Sequence, residues 1–291
     1  LSNSSSNPHS VQHYQRILDS LAAFTGLVLA CLARGADEAR EKVMLNFLAR
    51  SRALLAGVAE LWQIHDYHDC WVLYRCLLDR VFHMQFLIDG DQFDLFDNWC
   101  FVQAYEYENK VRSDAEFKHR IDATIRTRTP SDTARYKALK KGNVSWTRPK
   151  AQDVTKDMDL RFLYKYGYDY ASTAVHPMSF EGQEDLRILM GSAPQSFEKR
   201  HIYVIGNSCL AVTLLIQQIF NHGSFCWRTI MFDFLSQIRR ALADGTTDFE
   251  LTIRKLQANS RSVEWCRRRG HGEAFDRNAQ PPAGADKAAQ P

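Results

Sequence analysis

The stretch from Cys70 to Ile88 reads CWVLYRCLLDRVFHMQFLI, and its helical wheel decides the fold. At about 100° per residue, Trp71, Leu73, Leu77, Leu78, Val81, Met84 and Leu87 cover much of the circumference, and Val72, Cys76, Phe82 and Phe86 fill or border the rest. A helix that is apolar on nearly every side lies at the centre of a protein, so other helices are expected to surround it. Arg75, Asp79 and His83 share one sector of about 80°, because each step of four residues advances the wheel by about 40°. Charges placed there need partners, since an unpaired buried charge costs several kcal/mol.

Working outward, Asp89-Gly90-Asp91 stops this helix with a turn in which Gly90 suits a positive φ, and Asp66 or Asp69 in His65-Asp66-Tyr67-His68-Asp69 caps its start. Upstream, apolar residues at helical spacing predict helices over Ser10–Arg34, stopped by Gly35, and over Ala36–Ile64. Downstream, a helix from Asp91 carries Phe93, Phe96, Trp99 and Val102 before turning polar toward Arg128. Another runs from Pro130 to Gly142, and Asn143–Asp153 is a loop. Further helices are expected over Thr155–Tyr166, Gly167–His176, Phe197–Asn221, Phe225–Leu242 and Asp248–Arg269, while Met178–Gln195 has no clear period. The pattern is all-α: a bundle of seven to nine helices in one main domain, 11–269, between disordered tails at 1–10 and 270–291.

Composition agrees with this reading. In 291 residues there are only 14 glycines and 8 prolines, too few for a turn-rich all-β architecture. The 7 cysteines are scattered without a CxxC pair and read as reduced packing residues of a cytoplasmic protein. The first ten residues lack a signal-peptide pattern, and the apolar runs Leu27–Ala33 and Cys209–Ile216 fall short of the roughly 20 residues of a spanning helix, so no membrane association is expected. A net charge of +3 is mild, and any electrostatic argument must be local.

Three further groupings bear on chemistry. Asp169, Ser172, Thr173 and His176 share a helical face, but a nucleophilic serine needs a strained turn and an oxyanion hole, and GxSxG is absent. His65 to Asp69 superficially offers metal ligands, yet HExxH is missing and capping is the better reading, so neither metal nor cofactor is expected. From Arg120 to Lys150 nine basic residues face two acids, Asp122 and Asp132. Within that run Arg135, Lys137, Lys140, Lys141 and Arg148 could grip phosphates and Trp146 could stack a base, although a solvated charged face is the commoner meaning of such a run.

The order of Leu54-Leu55 to Leu61, Leu73-Tyr74-Arg75-Cys76-Leu77-Leu78-Asp79, Trp146, then Tyr170, Ser172 and His176-Pro177 resembles a family of bacterial helical proteins, the domain of unknown function numbered 5677. The resemblance covers roughly Leu45 to Phe220. It implies an Arg with an acid four residues on, here Asp79 where the family usually has Glu, and a later Tyr and His. The chain is more loosely similar to helical nuclease-like domains of toxin and phage-defence systems, whose Arg and His are separated by four to six residues. Arg112 and His119 meet that spacing, in a segment expected to face solvent, whereas Arg75 and His83 are spaced too widely.

These readings lead to two functional expectations. In the first, Arg75, Asp79 and His83 face Tyr170 and His176 across a cleft. Arg75 holds a phosphate, His176 acts as general acid or base and Asp79 orients Arg75 or a histidine, for metal-independent RNA cleavage. The partner is then RNA or another phosphate-bearing ligand. In the second, the Arg/Asp/His network is structural and the protein is a non-enzymatic module that binds a second copy or another protein through its helical faces.

Overall fold

The structure is a computed structural model that describes residues 11–33, 38–64, 66–116, 128–176, 182–191, 198–223 and 228–244. In chain order its helices are α1 (Val11–Leu32), α2 (Ala39–Gln63), α3 (Tyr67–Asp89), α4 (Phe93–Ser113), α5 (Pro130–Lys141), α6 (Ala151–Asp157), α7 (Arg161–Leu163), α8 (Asp169–Thr173), α9 (Gln183–Leu189), α10 (Glu198–His222) and α11 (Arg228–Asp244), with a π turn, Tyr164–Tyr168, joining α7 to α8. Nine of these α-helices have seven residues or more and no strand occurs among the described residues, in line with the expected all-α bundle.

The helix over Cys70–Ile88 is the centre that its wheel demands. α3 packs against α2 and α10 along its length and against α4, α6, the π turn and α8 on its other sides. Leu77, Leu78, Val81, Phe82, Met84 and Leu87 are all fully buried. α2 meets them with Met44, Leu48 and Val58, and α10 with Ile205, Val212 and Ile216. Each such side chain contributes about 1.5–3 kcal/mol by leaving water, whereas an exposed ion pair such as Arg40 with Asp91 at 2.6 Å contributes about 0–1 kcal/mol. Apolar burial therefore holds the bundle. α1 and α11 close it beyond α10, where the Phe24 ring meets Phe220 and Phe234 edge-on at 6.0 and 5.7 Å.

The windows Tyr14–Leu32 and Tyr203–His222 are long and apolar enough to cross a membrane by length and composition. Both contribute to the core, through Ile17, Leu21 and Val28 in the first and Ile205, Cys209 and Phe220 in the second.

Helix ends follow local chemistry. The Asp66 carboxylate accepts the Asp69 N–H at 3.2 Å and starts α3 three residues before Cys70. At the other end Gly90 has φ −90, and the positive φ of the turn, 47°, falls on Asp91. Thr129 opens α5 with a capping box: its hydroxyl accepts the Asp132 N–H at 3.1 Å, and the Asp132 carboxylate accepts the Thr129 N–H at 2.9 Å. α5 buries none of its residues and is held by this cap, by the stack of Tyr136 on Tyr105 at 4.0 Å and by ion pairs to α4. Thr129→Ala is expected to cost about 1 kcal/mol locally. Hydrogen exchange would show it as lost amide protection at Asp132 and Thr133 with little change in global Tm.

The region after the loop differs most from expectation. Instead of one helix over Thr155–Tyr166 and another from Gly167, α6 stops at Asp157 and Asp159 turns the chain at φ 56. From Arg161 the chain then runs helically through Gly167 as far as Thr173. Gly167 does not break the run because it is needed at close contact: a Cβ there would lie 2.9 Å from Tyr74 Oη and 3.3 Å from Leu78 Cδ1. The backbone widens into a π turn where it crosses α3. Within the unpatterned stretch Met178–Gln195, residues 183–189 form α9. The expected helix over Asp248–Arg269 and both tails lie outside the described residues.

Candidate functional site

Arg75 and Asp79, one turn apart on α3, pair at 3.1 Å between Nη1 and Oδ2. α8 and the π turn bring two hydroxyls to them. Arg75 Nε donates to Ser172 Oγ at 2.9 Å, and Nη2 donates to Tyr168 Oη at 2.9 Å. Tyr168 Oη in turn donates to Asp79 Oδ1 at 3.1 Å, and Ser172 Oγ donates to the Tyr168 carbonyl at 2.7 Å. All three nitrogens of the guanidinium and both oxygens of the carboxylate are thus engaged within the protein. The Arg75 and Asp79 side chains are 19% and 15% exposed, and the guanidinium carbon lies 4.7 Å from the Tyr168 ring centre.

The loop between α5 and α6 completes the cluster. Arg148 Nη2 lies 2.9 Å from Asp79 Oδ1, and Arg148 Nε donates to His83 Nε2 at 3.3 Å. A guanidinium only donates, so His83 Nε2 carries its lone pair and the ring is neutral with its proton on Nδ1. The environment favours this state. Burial and the Arg148 charge, with a smaller push from Arg80, hold the His83 pKa down to about 4 against the pull of Asp79. The Tyr168 hydroxyl is pushed above its ordinary value, by burial first and by Asp79 next. Asp79 is the hub for two cations, and Arg148, 58% exposed, carries the surplus positive charge.

The neutral histidine predicts an acid response. Between the unfolded pKa near 6.5 and the folded value near 4, the unfolded chain binds a proton that the folded chain does not, so stability falls as pH drops through that window. The loss amounts to at most about 3 kcal/mol. Comparing urea unfolding at pH 7 and pH 4.5, His83→Gln should flatten the slope shown by the parent chain. Equal slopes would remove His83 from the account.

Of the expected site residues, Arg75, Asp79 and His83 come together as a stripe, but the tyrosine that reaches them is Tyr168. Tyr170 packs edge-on against Trp71, with ring centres 4.8 Å apart. His176 is exposed in the bend past α8 and makes no hydrogen bond or ion pair with the stripe. Tyr168 and Arg148 join the stripe without having been expected there, and Tyr168 had a signal in the sequence, because it stands four residues before Ser172.

The expected nucleic-acid residues divide. Trp146 is packed rather than open, meeting Phe96 at 4.7 Å, Trp99 at 5.3 Å and His83 at 5.8 Å between ring centres. Arg135 pairs with Asp97 at 2.9 Å, and Lys140 pairs with Glu106, tying α5 to α4. Burial works to raise the pKa of Asp97, but hydrogen bonds from Lys42 and Arg135 outweigh it and hold the carboxyl below its usual range. Lys137 and Lys141 are exposed without an ion pair among the described residues. Arg112 is exposed, and His119, its partner in the looser signature, lies outside the described residues.

The fold and site define an all-helical protein whose central helix carries an internally satisfied arginine–carboxylate network. The chain belongs to the family of unknown function DUF5677, whose model matches residues 41–186, half of its length. Arg75, Asp79, His83, Arg148, Tyr168 and Ser172 all fall within that match, and α1, α10 and α11 lie outside it. No curated protein and no solved structure matches the chain.

Proposed function

We propose that the protein is a non-enzymatic helical interaction module and that the Arg75 network is a clasp fixing α8 and the Asn143–Lys150 loop to α3. One observation carries this reading: every nitrogen of the Arg75 guanidinium and both oxygens of the Asp79 carboxylate bond to groups of the same chain. An arginine that holds a substrate phosphate needs donors aimed outward, and general acid–base chemistry near neutrality needs a group that titrates there. His83 is held near 4, and its Nε2 is occupied by Arg148.

The test sets the two expectations against each other. Labelled single-stranded RNA incubated with the full chain in the presence of a chelator should stay intact. Arg75→Lys should lower Tm without changing any RNA readout. Metal-independent cleavage by the parent chain that a folded Arg75→Lys variant loses would overturn the clasp and restore the catalytic reading.

A further inference from the structure

Resting on the reading as an interaction module, the geometry points to the partner: we propose that the outer face of the α7–π turn–α8 run is a self-association surface for a second copy of this chain. Residues 162 to 170 place an aromatic ring at every second position: Phe162, Tyr164, Tyr166, Tyr168 and Tyr170. In a helix, residues four apart share a face, so this alternation makes two ladders. The inner ladder, Tyr164 and Tyr168, is stacked at 5.9 Å, and its Tyr168 belongs to the clasp. The outer ladder is left facing solvent, with Phe162 73%, Tyr166 61% and Tyr170 44% exposed. Phe162 and Tyr166 already touch at 5.3 Å between ring centres, and Tyr170, which rests edge-on against Trp71, extends the same face by one turn. Exposed aromatic side chains of this kind have the composition of an interface centre, and the charges that flank them have that of its polar rim.

Charge selects the occupant. Arg161 stands beside Phe162 at one end of the ladder, Lys165 beside Tyr166 at its middle with the ammonium 5.5 Å from that ring centre, and Asp169 beside Tyr170 at the other end, all exposed and without an ion pair among the described residues. A strongly anionic partner such as a nucleic acid would meet Asp169, and the stretch from Lys156 to Tyr170 holds as many acids (Asp157, Asp159, Asp169) as bases (Lys156, Arg161, Lys165). A second copy fits without that conflict. In a twofold contact each pairing occurs twice, so an antiparallel apposition centred on Tyr166 sets Phe162 against Tyr170 of the other copy and Tyr166 against its counterpart. The same apposition brings Asp169 of each copy within a turn of Lys165 and Arg161 of the other. A face of this length is smaller than a standard interface, so the association is weak, with a Kd on the order of 10–100 µM.

Sedimentation equilibrium of the full chain from low to several hundred micromolar tests this. The parent chain should show a reversible monomer–dimer equilibrium. Tyr166→Lys, Asp169→Lys and the pair Arg161→Glu with Lys165→Glu should each weaken it at least tenfold while leaving the circular dichroism unchanged. Mixing the Asp169→Lys chain with the Arg161→Glu/Lys165→Glu chain should restore association as a heterodimer, which general damage to the surface could not do. A chain that stays monomeric throughout, or a dimer indifferent to all these variants, would overturn the proposal. Neither result touches the clasp, whose own failure is read from RNA cleavage.

Discussion

Arg75→Ala is expected to destabilise the protein by about 3 kcal/mol, the low end of the range for removing one member of a buried ion pair. The low end applies because Asp79 keeps Arg148 at 2.9 Å and the Tyr168 hydroxyl at 3.1 Å, so its charge is not abandoned. What is lost is the group that joins three elements, since Ser172, Tyr168 and Asp79 each give up a bond to the same guanidinium. For a chain of this size the change corresponds to a fall in Tm of roughly 6–12 °C. Lysine should rescue little, because a point ammonium cannot reproduce a planar fork aimed at three acceptors. Arg75→Met combined with Asp79→Leu should cost less than the two single changes summed, by about 1–3 kcal/mol. Denaturant titration of the four chains measures that coupling, and strict additivity would mean that the network is not a unit.

Gly167→Val should cost about 3 kcal/mol through overpacking, the other large effect. A Cβ at that position would lie 2.9 Å from Tyr74 Oη, and Tyr74 is only 1% exposed with nowhere to retreat. The branched side chain would push the π turn off α3 and carry Tyr168 away from Arg75. Gly167→Ala should be milder, because alanine gains up to about 1 kcal/mol over glycine in a helix and offsets part of the clash. Adding Tyr74→Phe removes the obstructing oxygen and should recover part of the loss. Gly26→Ala in α1 supplies the contrast: nothing lies within 4 Å of its Cβ position, so that change should stabilise. If thermal melts show Gly167→Val to be as benign as Gly26→Ala, the close crossing does not exist in solution.

What the sequence revealed and what it concealed divide along the range of the interactions. The wheel of Cys70–Ile88 identified the central helix, its ends within three residues and the Arg75–Asp79 pair, since all of these depend on spacing along one element. Pro130 and Gly142 likewise bracketed α5. The other half of the cluster was concealed by the range of its contacts. The expected helix Gly167–His176 held both Tyr168 and Ser172, but which of its residues meet Arg75, 93 and 97 positions earlier, depends on how it crosses α3, and a glycine held open for Tyr74 looks the same in sequence as one that ends a helix. Trp146 and Arg148 sat in a basic run, which invited a phosphate-binding reading. Their destinations, an aromatic cluster beside α4 and the Asp79 carboxylate, are 47 to 69 residues away in sequence, and no local pattern encodes them.

The π turn has a consequence for insertions and deletions. Such a turn is an α-helix that has taken in one additional residue. Removing Lys165 would close it to an ordinary α turn and turn the segment before it by about 100° about the helix axis relative to Tyr168 and Ser172. Phe162 would leave the outer face, and the short connection between α6 and α7 would have to absorb the rotation for Val154 to keep its place in the core and Arg148 its hold on Asp79. A one-residue change in length therefore couples the exposed face of this protein to the seating of α6 on α3, an effect that substitutions at the same positions do not have.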